Sequence, residues 1–189
     1  MPFGTETIHR SATHLALLRG INVGGKNKLP MKDLSTLFVE SGCASVRTYI
    51  QSGNVVFEAA PAVARRVADD VSSLIAERFG YRIPVFSRTR DELLGVVRDN
   101  PYLAAGQSED ALHVMFLADR PTSAQIEALD PDRSPPDSFR VLGREVYLHL
   151  PAGVADSKLT NAYFDAKLAT ISTGRNRRTV LKPLEMMVD

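Results

Sequence analysis

Three short segments of the chain bring cations and amide side chains together with few acids. The first, which we call the glycine loop, spans residues 19–28 and contains Gly24 and Gly25, which permit positive φ and close backbone approach. Successive N–H groups in such a loop can form an anion-binding nest. Because no group in it acts as an acid or base near pH 7, the pattern favours holding an anion over breaking a bond. The candidate ligand-binding residues here are Arg19, Asn22, Gly24, Gly25, Lys26 and Asn27.

The glycine loop does not have the spacing of a Walker A phosphate loop. Lys26 is followed by Asn27, where that motif needs Ser or Thr. A helix predicted to open at Pro30 would place its positive dipole end nearby. A glycine-rich connection with solvated lysines explains the same residues equally well.

The other two segments add amides and cations from distant parts of the chain. Gln51, Ser52 and Asn54 belong to a predicted hairpin turn, for which such residues are typical in any case. Lys158 falls in the first turn of a predicted helix capped by Ser157, where the dipole disfavours a cation. A bound anion or simple hydration would compensate for that charge. The candidates from the third segment are Lys158, Asn161, Arg175, Asn176 and Thr179.

The distribution of charge supports grouping these segments. The formal net charge of +1 says nothing about partners. Windows 19–32, 42–57 and 158–182, however, hold 11 of the 23 Lys and Arg residues and one acid, Asp165, of the 22. If these windows meet in space, they form a positive focus on an otherwise acidic protein.

Other chemistries find little support. The four histidines and Cys43 share no metal-ligand spacing, so we expect neither a metal nor a cofactor. His14, His113 and His149 fall in predicted strands, where a structural role is the simpler interpretation. The sequence contains no GxSxG motif, so it gives no indication of a serine hydrolase. The acid or base of an enzyme would have to be Asp33, His149, Tyr49 or the substrate itself.

Hydrophobic periodicity predicts two successive βαββαβ units. The first contains strand 14–23, a helix from Pro30 to Gly42, strands 46–51 and 54–58, helix 61–79 and strand 83–87. A capping box of Thr89 and Glu92 begins a connecting helix. The second contains strand 111–118, helix 122–129, strands 138–142 and 144–150, helix 158–169, a short strand near Ile171 and a last helix with Asn176 as its N-cap. The order predicts an α+β fold of tandem duplicated ferredoxin-like units with antiparallel sheets. Two unrelated hairpins in an α+β protein would also explain the pattern.

The predicted organisation is a disordered leader at 1–13, a first unit at 14–88, a connecting helix and loop at 89–110, and a second unit with a C-terminal helix at 111–189. A single cysteine fits a reducing, cytoplasmic compartment. No apolar run of 18 residues is present, so we expect no membrane partner.

Four stretches carry a resemblance to a known family: LALLRGINVGGKNKLPMKDL (15–34), VRTYIQSGNVVF (46–57), REVYLHLPAGVADSKLTNA (144–162) and RNRRTVLK (175–182). They resemble the bacterial family catalogued as domain of unknown function 1697. The resemblance implies a duplicated ferredoxin-like fold and no established activity. It also implies that the positions matching its motifs matter, namely Arg19, Gly20, Asn22, Gly24, Gly25, Lys26, Asn27, Gln51, Ser52, Gly53, Asn54, Lys158, Asn161, Arg175, Asn176 and Thr179.

The chain departs from that family pattern at two positions. Arg177 stands where the family usually has Trp, which removes an aromatic stacking surface and adds a cation. Pro183 stands where Leu is usual, and we expect it to kink or end the last helix.

These residues are consistent with three functional hypotheses. The first is binding of a phosphate-bearing ligand, either a nucleotide or single-stranded nucleic acid, at a basic, amide-rich site. Tyr49 and Phe57 are its candidate stacking residues on a ferredoxin-like sheet. The second is an enzyme acting on a small anionic substrate, and the third is an oligomeric scaffold whose charged loops pair across a dimer. The oligomeric state itself cannot be predicted.

Overall fold

A computed structural model describes residues 11–188. It contains two βαββαβ units, and each unit is followed by a helix. The strands of the first unit are β1 (Ala12–Leu18), β2 (Ala44–Tyr49), β3 (Asn54–Ala59) and β4 (Val85–Thr89). Those of the second are β5 (Leu112–Leu117), β6 (Ser138–Leu142), β7 (Glu145–His149) and β8 (Ser172–Asn176).

Eight α-helices accompany these strands in the described part of the chain. They are α1 (Met31–Glu40), α2 (Pro61–Ala64), α3 (Val67–Phe79), α4 (Arg90–Arg98), α5 (Pro101–Ala104), α6 (Ser123–Glu127), α7 (Asn161–Leu168) and α8 (Arg177–Met186). Helices α1 to α3 belong to the first unit and α6 and α7 to the second. Helices α4 and α5 connect the units, and α8 follows the second.

Both sheets are antiparallel and have the ferredoxin-like strand order, β2-β3-β1-β4 and β6-β7-β5-β8. Their registers also correspond: Leu17 of β1 faces Asn54 of β3, and Phe116 of β5 faces Glu145 of β7. The predicted fold class, a tandem duplication of ferredoxin-like units, is therefore confirmed.

Three apolar clusters follow from the alternation of side chains along these strands. One lies between the first sheet and α1 and α3, and another lies between the second sheet and α7, with Leu129 just after α6. The third contains Leu17 and Val56 from the first sheet, Val114 and Phe116 from the second, and Val180 of α8. Each sheet therefore has one face covered by its own helices. Its other face contributes to a core shared by the two units.

Several predicted boundaries were wrong for identifiable reasons. The predicted leader spans residues 1–13, of which 1–10 lie outside the described residues, whereas Ala12 and Thr13 belong to β1. The predicted helix 61–79 is divided into α2 and α3, because the Arg66 N–H bonds the Val63 carbonyl in a tightened turn and Arg66 acts as a new N-cap.

The helix predicted from Lys158 begins three residues later. Thr160 is the N-cap of α7, because its side chain accepts a hydrogen bond from the Tyr163 backbone N–H. Lys158 therefore precedes the helix, and the expectation of a cation opposed by the helix dipole was wrong. Helix α8 does have Asn176 as its N-cap, as predicted, and it continues past Pro183 to Met186 instead of ending there.

Candidate functional site

The guanidinium of Arg175 joins the two units. Arg175 lies on β8 of the second unit and its side chain reaches across to the first. Its five N–H groups have five acceptors: Asn54 Oδ1 at 2.7 Å, Thr173 Oγ1 at 2.9 Å, the Gly174 carbonyl at 2.8 Å, the Leu18 carbonyl at 2.8 Å and the Ser52 carbonyl at 3.0 Å. Because every donor is engaged within the protein, Arg175 has none left for an anionic ligand.

Arg88 makes the corresponding contact in the opposite direction. It lies on β4, the strand of the first unit that matches β8, and its Nε donates to Glu145 Oε1 at 2.9 Å. Its NH2 group donates to the Leu117 carbonyl at 2.8 Å and, at 3.4 Å, to the Arg144 carbonyl. Leu117 ends β5 as Leu18 ends β1, and Glu145 begins β7 as Asn54 begins β3. We call Arg88 and Arg175, with their acceptors, the two arginine clamps.

The clamps differ in charge. Arg88 is fully buried and forms an ion pair with Glu145. Burial lowers the pKa of Arg88, while the charge of Glu145 opposes that change. Arg175 is bonded only to neutral groups, and burial lowers its pKa to about 10. Since that pKa is far above 7, Arg175 keeps its charge at neutral pH.

A chain of hydrogen bonds links Arg19 to Asn161 near the Arg175 clamp. Arg19 NH1 donates to Asp165 Oδ2, and Ser172 Oγ donates to Asp165 Oδ1 at 2.6 Å. Asn161 Nδ2 in turn donates to Ser172 Oγ at 2.8 Å. The single acid of the three basic windows is therefore the partner of the first cation in them. Arg19, like Arg175, stabilises the contact between the units.

The glycine loop is held from within by its own amides. Asn22 Nδ2 donates to the Leu29 carbonyl at 2.9 Å and to the Gln51 carbonyl at 3.0 Å, while Asn22 Oδ1 accepts from the Leu29 N–H at 2.8 Å. Asn27 Nδ2 donates to the Gly20 carbonyl at 2.8 Å. Asn22 and Asn27, both predicted to bind a ligand, thus also shape the loop.

The exposed residues of the glycine loop are Gly20, Val23, Gly24, Gly25, Lys26 and Lys28. Gly24 and Gly25 have positive φ, 56° and 75°, so the conformation that would permit a backbone nest is present. Neither lysine forms an ion pair with any described residue. An open depression of about 620 Å³, which includes Gly25, Lys28 and the exposed Gln51, lies beside the loop.

Asn54 makes the side-chain hydrogen bonds that hold the Gln51–Asn54 turn. It is 1% exposed, and its Nδ2 donates to Ser52 Oγ at 2.9 Å and to the Tyr49 carbonyl at 3.2 Å. Its Oδ1 faces Arg175. Asn54 therefore serves the clamp, and the adjoining Gly53 must remain without a side chain because a Cβ there would lie 2.7 Å from Leu18 Cβ.

A cleft of about 410 Å³ lies in the second unit, and we call it the second-unit cleft. Its floor is apolar and includes Met115, Leu148 and Leu159. Its polar margin consists of His113, Ser157, Thr160, Asn161 and Asn176, and the edge strand β8 forms one wall. It includes three of the predicted site residues, Asn161, Arg175 and Asn176.

Gly174 lines this cleft and, because it has no side chain, leaves the space in front of β8 open. A methyl group placed on Gly174 would lie 3.8 Å from Met115 Cγ and 4.0 Å from Asn161 Oδ1, both ordinary contacts. Gly174 faces Met115 in the sheet, and Asn176 faces His113 one pair further along. These four side-chain positions consequently lie on the same face of the sheet, opposite to that of Arg175.

The corresponding region of the first unit is filled. There His14 stacks on Phe57 with ring centroids 5.4 Å apart, and Phe57 packs on Phe38 of α1 at 5.2 Å. In the second unit Leu148 replaces Phe57 opposite the histidine. Helix α6 has five residues where α1 has ten, so it provides no counterpart of Phe38. The smaller residue and the shorter helix together open the cleft.

His113 has an unusual environment. Its Nδ1 is the one buried side-chain nitrogen or oxygen among the described residues that has no hydrogen-bond partner. Burial lowers the pKa of His113, and a hydrogen bond with the Ala111 backbone opposes that shift. The sequence indicated a structural histidine, whereas the structure leaves one of its nitrogens unpaired on the cleft wall.

The remaining predicted site residues do not line the second-unit cleft. Lys158 is exposed, between two residues that line the cleft, and its backbone N–H donates to Ser134 Oγ. Thr179 is buried and its N–H is capped by Asn176. Arg177, at the position where the family has Trp, pairs with Glu109 at 2.8 Å.

The candidates for stacking and for acid–base chemistry are dispersed. Phe57 is fully buried and cannot stack on a base, and Tyr49 lines a different depression beside Arg178. Asp33 is exposed on α1, and His149 stacks on Tyr102. None of these four residues lines the second-unit cleft.

Sequence reasoning missed several residues of the site, including Arg88, Glu145, Asp165, Ser172 and Gly174. A signal for Arg88 was present: Arg88-Thr89-Arg90 recurs as Arg175-Asn176-Arg177, in each case as a strand end, an N-cap and a helix start. Aligning the two copies through this pattern would have placed both arginines in equivalent positions.

Two ferredoxin-like units joined through reciprocal arginine contacts define a duplicated α+β protein with a cleft of about 410 Å³ in its second unit. The chain belongs to the family described as "Protein of unknown function (DUF1697)", whose model matches residues 12–147. It is similar in structure to the conserved bacterial protein SP0830 from Streptococcus pneumoniae, with a TM-score of 0.71 and 18% sequence identity over 95% of this chain and 99% of that one. At that identity the likeness shows the fold. No curated protein matches the sequence.

In the part of the chain that the structure describes, no helix is long and apolar enough to cross a membrane. No group of three or more His, Cys, Asp or Glu side chains there is arranged to hold a metal ion.

Proposed function

We propose that the protein binds a small phosphate-bearing molecule of nucleotide size in the second-unit cleft. The observation that carries this proposal is the cleft itself, which combines an apolar floor with convergent polar groups in a volume of about 410 Å³. Small-molecule sites in proteins are concave, mainly apolar and of roughly 300–1,000 Å³. A planar base fits the floor formed by Met115, Leu148 and Leu159.

The phosphate group would lie at the margin, beside the start of α7. Thr160 and Asn161 line the cleft there. The Thr160 side chain accepts a hydrogen bond from the Tyr163 backbone N–H, and the N–H groups of Asn161 and Ala162 are first-turn donors without a partner inside the helix. Such N–H groups and the positive dipole end favour an anion. Lys158 is exposed near this margin and adds a positive charge.

The structure favours a nucleotide over a single strand of nucleic acid. RNA-binding ferredoxin-like domains stack bases on an open sheet face, but the helix-free faces of both sheets here contribute to a shared core that includes Leu15, Val56 and Phe116. Arg175 and Arg19 are engaged in contacts between the units. Little basic surface is left on those faces for a polyanion to follow.

Isothermal titration of the purified protein with AMP tests this proposal. We expect saturable binding at one site and a rise in thermal stability that grows with AMP concentration. Gly174→Leu should fill the cleft and weaken binding by at least about tenfold, because its side chain would occupy the space beside Met115 and Asn161. Gly174→Ala, whose methyl meets only ordinary contacts, is the matched control and should bind AMP nearly as well as the wild type.

Two results would contradict the proposal. One is the absence of binding by AMP, GMP, CMP and UMP. The other is equal affinity in the Gly174→Leu and Gly174→Ala variants, which would place the nucleotide elsewhere. A single-stranded oligonucleotide that binds more tightly than the mononucleotides, with a steep salt dependence, would favour the nucleic-acid alternative.

A further inference from the structure

The polar network beneath the cleft determines which atom of Asn161 faces the ligand. A carboxylate can only accept hydrogen bonds, so the hydroxyl of Ser172 must donate to Asp165 Oδ1. The Ser172 oxygen is then free to accept, and Asn161 Nδ2 donates to it. The amide of Asn161 is thereby oriented with its nitrogen toward Ser172 and its oxygen away from it.

Asn161 Oδ1 is the atom that this orientation leaves for the cleft. It lies 4.0 Å from the position of a Cβ on Gly174, on the cleft wall, and it accepts no hydrogen bond from any residue that the structure describes. Arg19 holds the other oxygen of Asp165, so the carboxylate cannot rotate freely to release Ser172. Asn161 therefore presents a fixed acceptor.

His113 lines the cleft on the same face of the sheet. Its Nδ1 is buried and has no hydrogen-bond partner among the described residues. In a neutral imidazole that donates through its other nitrogen, Nδ1 is an acceptor. His113 and Met115 are neighbours on one face of β5, and Met115 faces Gly174, beside which Asn161 Oδ1 lies.

We infer that the second-unit cleft recognises a hydrogen-bond donor on its ligand, specifically the exocyclic amino group of a nucleotide base, through Asn161 Oδ1 as oriented by Ser172 and Asp165. This inference rests on the proposed function and names the chemical group that the site selects. Asn161 would contact the base, whereas Ser172 and Asp165 are positioning residues.

Two nucleotides that differ in one group provide the test. AMP carries an exocyclic amino group, and purine riboside 5′-monophosphate has hydrogen in its place. We expect the wild-type protein to bind AMP about 10- to 100-fold more tightly, because the analogue leaves a buried acceptor unpaired. Ser172→Ala removes the hydroxyl that orients the amide, so the preference for AMP should fall below about threefold while the purine analogue binds as before. Ser35→Ala, a matched loss of a hydroxyl on α1 of the first unit, should keep the full preference.

Equal affinity of the wild type for the two nucleotides would overturn the inference while leaving the proposed function intact. Full discrimination in a folded Ser172→Ala protein would also overturn it, because Asn161 would then be oriented by something other than Ser172. If Ser172→Ala does not fold, Ser172→Thr keeps the hydroxyl and should retain the preference, and the wild-type ratio alone decides. Failure of both nucleotides to bind would overturn the proposed function, and this inference with it.

Discussion

The two units differ at positions that the duplication makes equivalent. Arg88 and Arg175 reach in opposite directions across the boundary and bond the end of the partner unit's central strand. In both clamps the arginine Nε donates a hydrogen bond to the side chain of the first residue of the neighbouring strand. That residue is Glu145 for Arg88 and Asn54 for Arg175. One clamp is therefore neutral overall and the other carries a positive charge.

This difference shows which parts of the repeat are structural and which have diverged. The backbone acceptors are shared, so they define how the units join. The side-chain acceptors differ, as do the faces beside them: the first unit fills the space next to His14 with Phe57, and the second leaves a cleft next to His113. The clamps explain the shared architecture, and the cleft distinguishes the second unit.

The largest expected effect is on the neutral clamp. Arg88→Met would leave the carboxylate of Glu145, whose side chain is 14% exposed, without its buried partner, and we expect the free energy of unfolding to fall by about 4 kcal/mol. The double variant Arg88→Met/Glu145→Leu removes both charges and should recover most of that loss. Urea denaturation measures both. A double variant no more stable than the single one would show that the ion pair is not the source of the loss.

The charged clamp should be somewhat less sensitive. Arg175→Met removes donors to the carbonyls of Leu18 and Ser52 and to Asn54, which we expect to cost about 3 kcal/mol in urea denaturation. No carboxylate is abandoned, since the described partners of Arg175 are all neutral. Arg98→Met, at an exposed residue paired with Asp99, is the control and should leave the free energy of unfolding nearly unchanged. A loss as small for Arg175→Met as for that control would refute its bridging role.

The two equivalent histidines should make stability depend on pH. Burial lowers the pKa of both His14 and His113, and the charge of Glu92 only partly opposes this for His14. Their pKa in the unfolded chain is the usual 6.5. Just below that pH the unfolded chain binds more protons, so the stabilisation is complete above pH 6.5 and is lost as the pH falls through the folded pKa values. Thermal unfolding recorded at several pH values between about 5 and 8, the range in which histidines titrate, measures this loss of stability.

Single variants separate the two histidines. His14→Gln and His113→Gln should each reduce the acid-side loss of stability, and the double variant should reduce it further. An unchanged pH dependence in the double variant would assign it to other groups.

The smallest expected effect on stability is at the cleft wall. Gly174 lacks positive φ, so Gly174→Ala should change the free energy of unfolding by no more than about 0.5 kcal/mol and in the stabilising direction. The equivalent residue of the first unit is Ser87, which indicates that a side chain is compatible with this strand position. Gly53→Ala is the contrasting variant, because its Cβ would meet Leu18 at 2.7 Å, and it should be clearly destabilised.

Local sequence patterns predicted the elements because each is specified by nearby residues. Thr89 with Glu92 and Asn176 with Thr179 mark helix starts within four residues, and the structure has both caps. Ser157 and Thr160 are both good caps, and the choice between them depends on tertiary contacts: the Ser134 hydroxyl accepts a hydrogen bond from the Lys158 N–H, which lies outside the helix. Local sequence does not contain that contact.

The site was less predictable because its polar residues bond to one another across long sequence separations. Arg19 and Asp165 are 146 positions apart, and Arg175 and Asn54 are 121 apart. A cation and an amide that look free in the sequence are therefore partners in the structure. The cleft depends on what is missing, a large side chain at Leu148 and a longer α6, which no motif announces.

The central claim is that the ligand site lies in the second-unit cleft and not at the glycine loop. Amide NMR spectra recorded during titration with AMP separate these two places directly. We predict that the Asn161 side-chain amide and the backbone amide of Gly174 shift progressively, while those of Gly24 and Gly25 remain in place. Shifts confined to Gly24, Gly25 and Lys26, with Asn161 and Gly174 unmoved, would contradict it.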